Sequence, residues 1–441
     1  MRKPDSCLGC PFYGDGQGFV PDEIVEGAPV LVVMQNPGAE EEAAGKPAVG
    51  ATGQFQQRHF FPPAGLVRGQ TSIANAYRCR HKHTNELPEL NSQVARQALT
   101  HCTNAHFKLP EGVKLIVAQG AYALYMLTGE GLGDNRTVSS WRGYALKYNP
   151  MPRPLWSPPT DIWTPGPKDI PVLATLHVAS LFQDMKMYPA LQHDWSKVPL
   201  MLSRKWPLPL PTILGPQDVD LWPGTLAFDT EYDPTTRQLH RFSVSGCLLR
   251  DEPKVWVIEA SEAHMVPDFR YVTKAITQNA LADLPYWRQF GGNPSVIEDE
   301  MLAHSVLWSD LPHDLEFLGS LYGYTNRWKH LMHGNPRVYS AADAYNELAV
   351  WLALEKQLKH DEASRYIYYQ SVLPLVPIIE KAEKPGQRVH QERTKVIATA
   401  LKRRTEAARL KAQAVCGWPI NVGSTDQVRH ELYTVLNGGK E

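Results

Sequence analysis

The sequence predicts an α/β fold built on a parallel sheet, and three observations lead to it. Short apolar runs rich in Val, Ile and Leu occur at 29–34 (PVLVVM), 114–119 (KLIVAQ) and 170–176 (IPVLATL), each leading into Gly, Asn, Pro or His. Stretches of helical composition lie between them, such as 120–128 (GAYALYMLT). The runs do not alternate with polar residues, so they belong in strands covered on both faces, with active loops at their carboxyl ends.

Two Pro-rich stretches follow. Residues 150–165 hold Pro150, Pro152, Pro154, Pro158, Pro159 and Pro165, the composition of a long surface loop. Residues 199–216 (PLMLSRKWPLPLPTILGP) have the stiff, extended character of a linker. A second strand-rich region begins near Leu226 and passes into helices by about Asn279. From Gln391 to Val415 there is no Gly or Pro, which predicts a long helix. No internal repeat is visible.

Bulk properties bound the function. The chain has 441 residues, more than one ordinary domain holds. Lys+Arg 45 against Asp+Glu 46 gives a net charge of −1, which excludes a strongly basic nucleic-acid coat but leaves room for local basic grooves. No apolar run approaches the ~20 residues of a membrane span, and MRKPDSCLGC has no apolar signal core. The expectation is a cytoplasmic protein. Of the six cysteines, Cys7, Cys10, Cys79 and Cys102 fall in the first quarter, and Cys247 and Cys416 stand apart. In a reducing compartment the cluster reads as metal ligation rather than disulfides. Cys-x2-Cys leaves zinc, iron–sulfur and redox roles open, with unligated core thiols as the plain alternative.

The stretch GTLAFDTEYDP places Asp229 and Glu231 two positions apart at the end of an apolar segment. On a strand they share a face and repel unless a cation lies between them. Alone, the pair reads as a solvated strand end. Asn279 and Asp283 (NALAD), then Tyr339 and Asp343 (YSAAD), each stand at i, i+4. Tyr345, Leu348, Ala349 and Leu352 form an apolar stripe behind the second pair, leaving Tyr339 and Asp343 near an exposed helix start. Thr230, between the first two acids, is expected to face the core.

Together, and in this order, these residues resemble the DEDD family of 3′–5′ exonucleases, in the subgroup with tyrosine in its last motif. With EDEMLAHSVLWSDLPHDLEFLGSLYG between them, residues 222–360 look like the proofreading domain of family A DNA polymerases. The resemblance implies a ribonuclease H-like fold with a mixed sheet and flanking helices. It implies two Mg²⁺ or Mn²⁺ ions, hard cations suited to oxygen ligands. Asp229 would bridge both ions, Glu231 and Asp343 would complete one site, Asp283 would hold the second ion largely through water, and Tyr339 would orient the attacking water. The implied substrate is a single-stranded DNA 3′ end. Further on, Pro374, Leu375, Gly386, Val389, Asn421, Ser424 and Gln427 resemble the segment that joins exonuclease to thumb in these polymerases. Palm and fingers are then expected in a longer or separate chain, in a bacterial or phage-infected cell. Lys402, Arg403, Arg404 and Arg409 either contact phosphates or form a solvated helix face.

The four clustered cysteines, with VVMQNPGAEEEAAGKPAVGATGQF, IANAYRCRHK and LATLHVASLF, resemble iron–sulfur uracil-DNA glycosylases of family 4. That resemblance covers about residues 1–197. It implies an α/β/α sandwich and a [4Fe–4S] cluster on Cys7, Cys10, Cys79 and Cys102, with Zn²⁺ on the same thiolates as the physical alternative. The implied base pocket is Gln35, Asn36, Ala48, Asn75 and His177, and the ligand is DNA carrying uracil or a modified base. Two positions depart from the family. Gln35 stands where an acidic residue helps activate water, and Ala48 where an aromatic ring stacks on the base. Asn75 either reads a base edge or is a turn asparagine, and His177 either stabilises the departing base or is an ordinary loop histidine. The expected organisation is therefore 1–197 glycosylase-like, 198–222 linker, 223–360 exonuclease and 361–441 helical. A non-catalytic DNA-binding module for a partner polymerase is the remaining alternative.

Overall fold

The computed structural model describes residues 2–14, 16–81, 87–133, 137–149, 160–247, 252–293, 296–386 and 388–436. Most of the expected 150–165 surface loop, including Pro150 to Pro159, lies outside these residues. The chain forms two compact units, Met1–Pro377 and Ile378–Glu441.

The first unit is α/β and contains two principal sheets. In the five-stranded sheet the order is Ser72–Asn75, Val30–Met34, Leu115–Gln119, Pro171–Thr175, Ala145–Lys147. The first four run parallel, and the last is an antiparallel edge. Every residue of the three apolar strands is buried, so both faces are covered, as their unbroken apolar composition requires. Each fully buried Val, Leu or Ile there contributes about 1.5–3 kcal/mol relative to exposure. The stretch 120–128 is the helix Gly120–Thr128.

The six-stranded sheet is mixed, in the order Ile297–Asp299, Lys274–Thr277, Thr225–Tyr232, Leu239–Gly246, Lys254–Glu259, Ile213–Leu214. The helix Pro336–His360 packs across its three central strands. Tyr345, Leu348 and Ala349 are buried as the stripe predicts, but Leu352 is 43% exposed. Pro336 at the start of this helix is exposed, but the two site residues after it are not. Tyr339 and Asp343 are buried, because the first turns lie against the sheet rather than at its rim. Pro199 lies inside the helix Tyr188–Leu202, so the second Pro-rich stretch begins helical.

The two sheets are joined by buried polar contacts. Arg142 pairs with Asp194 at 2.6 Å and also bonds the Ser320 hydroxyl. Lys197 Nζ donates to the Gly143 carbonyl at 2.7 Å and the Ser320 carbonyl at 2.6 Å. Gly143 has φ +75°, and a Cβ there would stand 2.6 Å from the Ser320 oxygen, so only glycine permits this approach. The Asn326 side chain accepts from Ala145 N at 3.0 Å and donates to Ala145 O at 2.7 Å, closing the free edge of the first sheet.

In the second unit the long helix spans Gln391–Cys416, with no buried residue. Lys402, Arg403, Arg404 and Arg409 are exposed on it. Asn421, Ser424 and Gln427 form a closed turn. Ser424 Oγ caps the helix Thr425–Arg429, while Gln427 Oε1 accepts from Asn421 N at 2.8 Å.

Arg142→Met tests the junction in the first unit. It leaves Asp194 buried without its guanidinium, and breaking a buried pair costs on the order of 3 kcal/mol. Urea unfolding followed by tryptophan fluorescence should show a lower midpoint in a single transition; an unchanged midpoint would contradict a structural role for the pair.

Candidate functional site

Asp229 and Glu231 lie on the strand Thr225–Tyr232 and, two apart, face the same side. Asp343 reaches them from the helix Pro336–His360. The ligand oxygens of Asp229, Glu231 and Asp343 all lie within 4.8 Å of one another. Among the described residues this is the one set of three or more potential metal-binding side chains so close together. Ser243, opposite Asp229 on the neighbouring strand, donates to Asp229 Oδ2 at 3.3 Å. Trp328 Nε1 and Lys329 Nζ each donate to Asp343 Oδ1 at 2.6 Å, and Lys329 also reaches the Tyr339 hydroxyl at 3.2 Å.

Asp283 is buried on the helix Ala280–Gln289 and lies outside the close trio. Its Oδ1 accepts from the Thr230 hydroxyl. Thr230 does face away from its acidic neighbours, but as the tether of the fourth acid rather than inert core. Asn279 is not on the helix face of Asp283; it precedes the helix with φ +68°.

Burial, then the neighbouring charges of Asp343, Glu231 and Asp283, pushes the Asp229 carboxyl well above the usual carboxylate range. Burial and Asp343 push Glu231 up to about 7, against the opposing effects of Lys329 and Arg241. Two further acids were not singled out in the sequence. Glu300 and Glu347 are fully buried, their oxygens have no hydrogen-bond partner among the described residues, and burial holds both well above the ordinary range. Glu347 stands four residues after Asp343, a spacing that could have revealed it. Lys329 carries no periodic signal.

Four of the five implied base-pocket residues stand on or just beyond the carboxyl ends of parallel strands, and Ala48 lies in the loop before the helix Ala51–His59. Asn75 ends Ser72–Asn75, Gln35 and Asn36 follow Val30–Met34, and His177 follows Pro171–Thr175. Gln35 and His177 flank Gly120, whose φ is +84°; a Cβ there would lie 3.4 Å from Gln35 Oε1 and 3.3 Å from His177 Cβ. His177 Nδ1 accepts from Ala179 N at 3.3 Å, and its Nε2 is buried without a partner among the described residues. Burial lowers its pKa to about 4, so the ring is neutral at physiological pH. Asn36 turns its amide onto the Pro37 carbonyl at 3.2 Å. Ala48 is buried with φ +52°.

Cys7, Cys10, Cys79 and Cys102 line one cavity with Phe19, Tyr77, Arg78 and His106. Cys79 sits on Cys79–His81 and Cys102 on the helix Gln93–His106. Burial pushes the Cys79 thiol up to about 12 in the absence of any bound cation. No three of the four sulfurs lie within 4.8 Å of one another. Four thiolates on one tetrahedral zinc, at ~2.3 Å each, stand only about 3.8 Å apart. In an iron–sulfur cluster each cysteine binds its own iron, so the sulfurs spread further.

The fold and its sites thus define an α/β chain with a carboxylate centre on one sheet and a thiol-lined cavity beside the other. No family model matches it. It is similar to a type-4 uracil-DNA glycosylase of Sulfurisphaera tokodaii, 24% identical over 196 residues, covering 44% of this chain and 79% of the relative. A type-4 uracil-DNA glycosylase of Archaeoglobus fulgidus is 22% identical over 209 residues, covering 47% of this chain and 94% of the relative. That of Pyrobaculum aerophilum is 36% identical over 75 residues, 17% of this chain and 38% of the relative. Among solved structures, the POL domain of Pol1 from M. smegmatis, in complex with a DNA primer-template and dNTP, aligns at a TM-score of 0.34 and 15% identity, covering 48% of this chain and 37% of that one.

A pH series checks the electrostatics. Glu231 keeps its proton when folded up to about pH 7 but loses it near 4.5 when unfolded. Its contribution is therefore full below pH 4.5 and is lost as pH rises towards 7. In EDTA, Glu231→Gln should flatten the fall in melting temperature between pH 5 and 7; an identical slope in the variant would refute the assignment.

Proposed function

We propose that this chain processes DNA and that its six-stranded sheet carries a metal-dependent 3′–5′ exonuclease centre. The observation that carries this reading is the convergence of Asp229, Glu231 and Asp343 within 4.8 Å, beside Tyr339. Three hard oxygen donors in so small a space suit Mg²⁺ or Mn²⁺ better than softer metals. Two such ions would supply an acidified water and charge stabilisation at the leaving 3′ oxygen. Asp229, Glu231 and Asp343 would hold the ions, with Asp283 contributing to a second site largely through water. Tyr339, whose hydroxyl accepts from Lys329 at 3.2 Å, would orient the attacking water. The substrate is a single-stranded DNA 3′ end, released one nucleotide at a time. A polymerase palm and fingers, in a longer or separate chain, is the partner this activity implies.

The sequence comparisons favour a second reading of the chain more strongly than the first. The named relatives are uracil-DNA glycosylases, and they align with close to half of its length. On that reading the residues at the strand ends would receive a flipped base. Asn75 would read its edge, and neutral His177 would donate a hydrogen bond to the departing base. Gln35 cannot serve as a base, and Ala48 offers no ring to stack on. A [4Fe–4S] cluster on Cys7, Cys10, Cys79 and Cys102 would be structural in this domain.

Both readings are open to direct test. Asp229→Ala should reduce mononucleotide release from a labelled 3′ end by at least ~1000-fold with an unchanged circular dichroism spectrum; full activity in that variant would overturn the nuclease reading. Uracil-containing single-stranded DNA should yield abasic sites that disappear in Asn75→Ala if the second reading holds. Anaerobically purified protein should show broad visible absorbance, whereas a colourless, iron-free protein would exclude the cluster.

A further inference from the structure

We propose that Lys329 is a positioning residue of the carboxylate centre, fixing Asp343 and setting the direction of the Tyr339 hydroxyl; this rests on the exonuclease reading. Lys329 opens the short 3-10 turn Lys329–Leu331, before the helix that carries Tyr339 and Asp343. Its ammonium lies 2.6 Å from Asp343 Oδ1 and 3.2 Å from the Tyr339 oxygen. It also stands 4.9 Å from the centre of the Tyr339 ring. Among the described residues it makes the one ion pair to the acidic trio.

Two consequences follow from donor and acceptor counting. Asp343 Oδ1 already receives the Trp328 indole N–H, also at 2.6 Å, and the ammonium fills its second lone pair. Oδ1 is therefore committed to the protein, the carboxylate is locked in rotation, and Oδ2 is left for an ion. Lysine has no acceptor, so the Tyr339 oxygen must accept from it. The phenolic proton is then turned away from Lys329 and is free to donate to a water or a phosphate oxygen. A fixed positive charge at this point also opposes the binding of a divalent cation. Lys329 thus weakens ion binding while improving the geometry of the reaction, and those two effects have opposite signs.

That opposition gives the test. Lys329→Met keeps the stem and removes the charge. Manganese titration of the full chain, followed by electron paramagnetic resonance, should show a dissociation constant lower by roughly tenfold. The same variant should lose roughly 10- to 100-fold in kcat with KM little changed, and Lys329→Arg should recover part of the loss. In a Tyr339→Phe background, Lys329→Met should cost less than in the parent, because the hydroxyl it directs is gone. Weaker manganese binding together with lost activity would mean a merely structural lysine and overturn the proposal, as would equal losses in both backgrounds. If Asp229→Ala retains full activity the nuclease reading itself fails; if Asp229→Ala is inactive and Lys329→Met is fully active, only the present inference fails.

Discussion

Three carboxylates held within 4.8 Å of one another are the constraint around which the second sheet is organised. Water cannot screen them fully, and like charges in that space favour the neutral form or a bound cation. Something must hold them together against that repulsion. The helix Pro336–His360 does so through apolar burial on both sides of Asp343. Ala341, Ala342 and Ala344 let its backbone approach the sheet closely, and Tyr345, Leu348 and Trp351 continue the contact. Period two on the strand and period 3.6 on the helix then leave no freedom in where the acids point. Glu300 and Glu347 are buried as well, and burial favours their neutral form, so the charge that Lys329 pairs with is that of Asp343.

The junction between the sheets shows a different balance. Arg142, Asp194 and Lys197 are buried where isolated charges would be costly. Burial raises Asp194 to about 6 and lowers Lys197 to about 7, the opposite of what ion pairing alone would do. Carbonyls and hydroxyls complete their hydrogen bonding. Asn326 imitates a strand at the edge Ala145–Lys147, which would otherwise be an open template for pairing. Both sheets therefore depend on contacts made across this seam, and the first unit is continuous through it.

The sequence was informative where periodicity carries meaning. Unbroken apolar runs gave the parallel strands, and i, i+2 and i, i+4 spacings placed Asp229 with Glu231 and Tyr339 with Asp343. It was less informative where a residue acts through a contact distant in the chain. Thr230 is buried as expected, but its bond to Asp283 was not legible, because that partner is 53 positions away on another helix. Lys329 and Trp328 reach Asp343 from an irregular segment, where no pattern predicts direction. The burial of Tyr339 was missed because an amphipathic stripe marks one face, not how far the sheet extends beneath the first turn. Asn326 and Arg142 had no local signal at all, since Asn326 pairs with Ala145, and Arg142 with Asp194 and Ser320, all far away in the chain.

Ala48 brings these considerations to the second reading of the chain. A non-glycine residue at φ +52° is held against an unfavourable backbone preference. Arg68 donates to both the Pro47 and Ala48 carbonyls at 2.6 Å, and Gln57 to the Ala48 carbonyl at 3.0 Å. Gly53 leaves the space that the Ala48 backbone occupies; a Cβ there would stand 2.3 Å from the Ala48 carbonyl carbon. The loop is thus fixed by its surroundings and does not need an aromatic side chain to hold its shape. What the methyl group lacks is a face on which a base can stack, an interaction worth ~1–3 kcal/mol. A base held here would depend on edge contacts from Asn75 and on enclosure near Gln35 and His177. Such a pocket discriminates by hydrogen bonding more than by stacking. Losing one edge contact would then cost more of its binding energy than in a pocket with an aromatic platform.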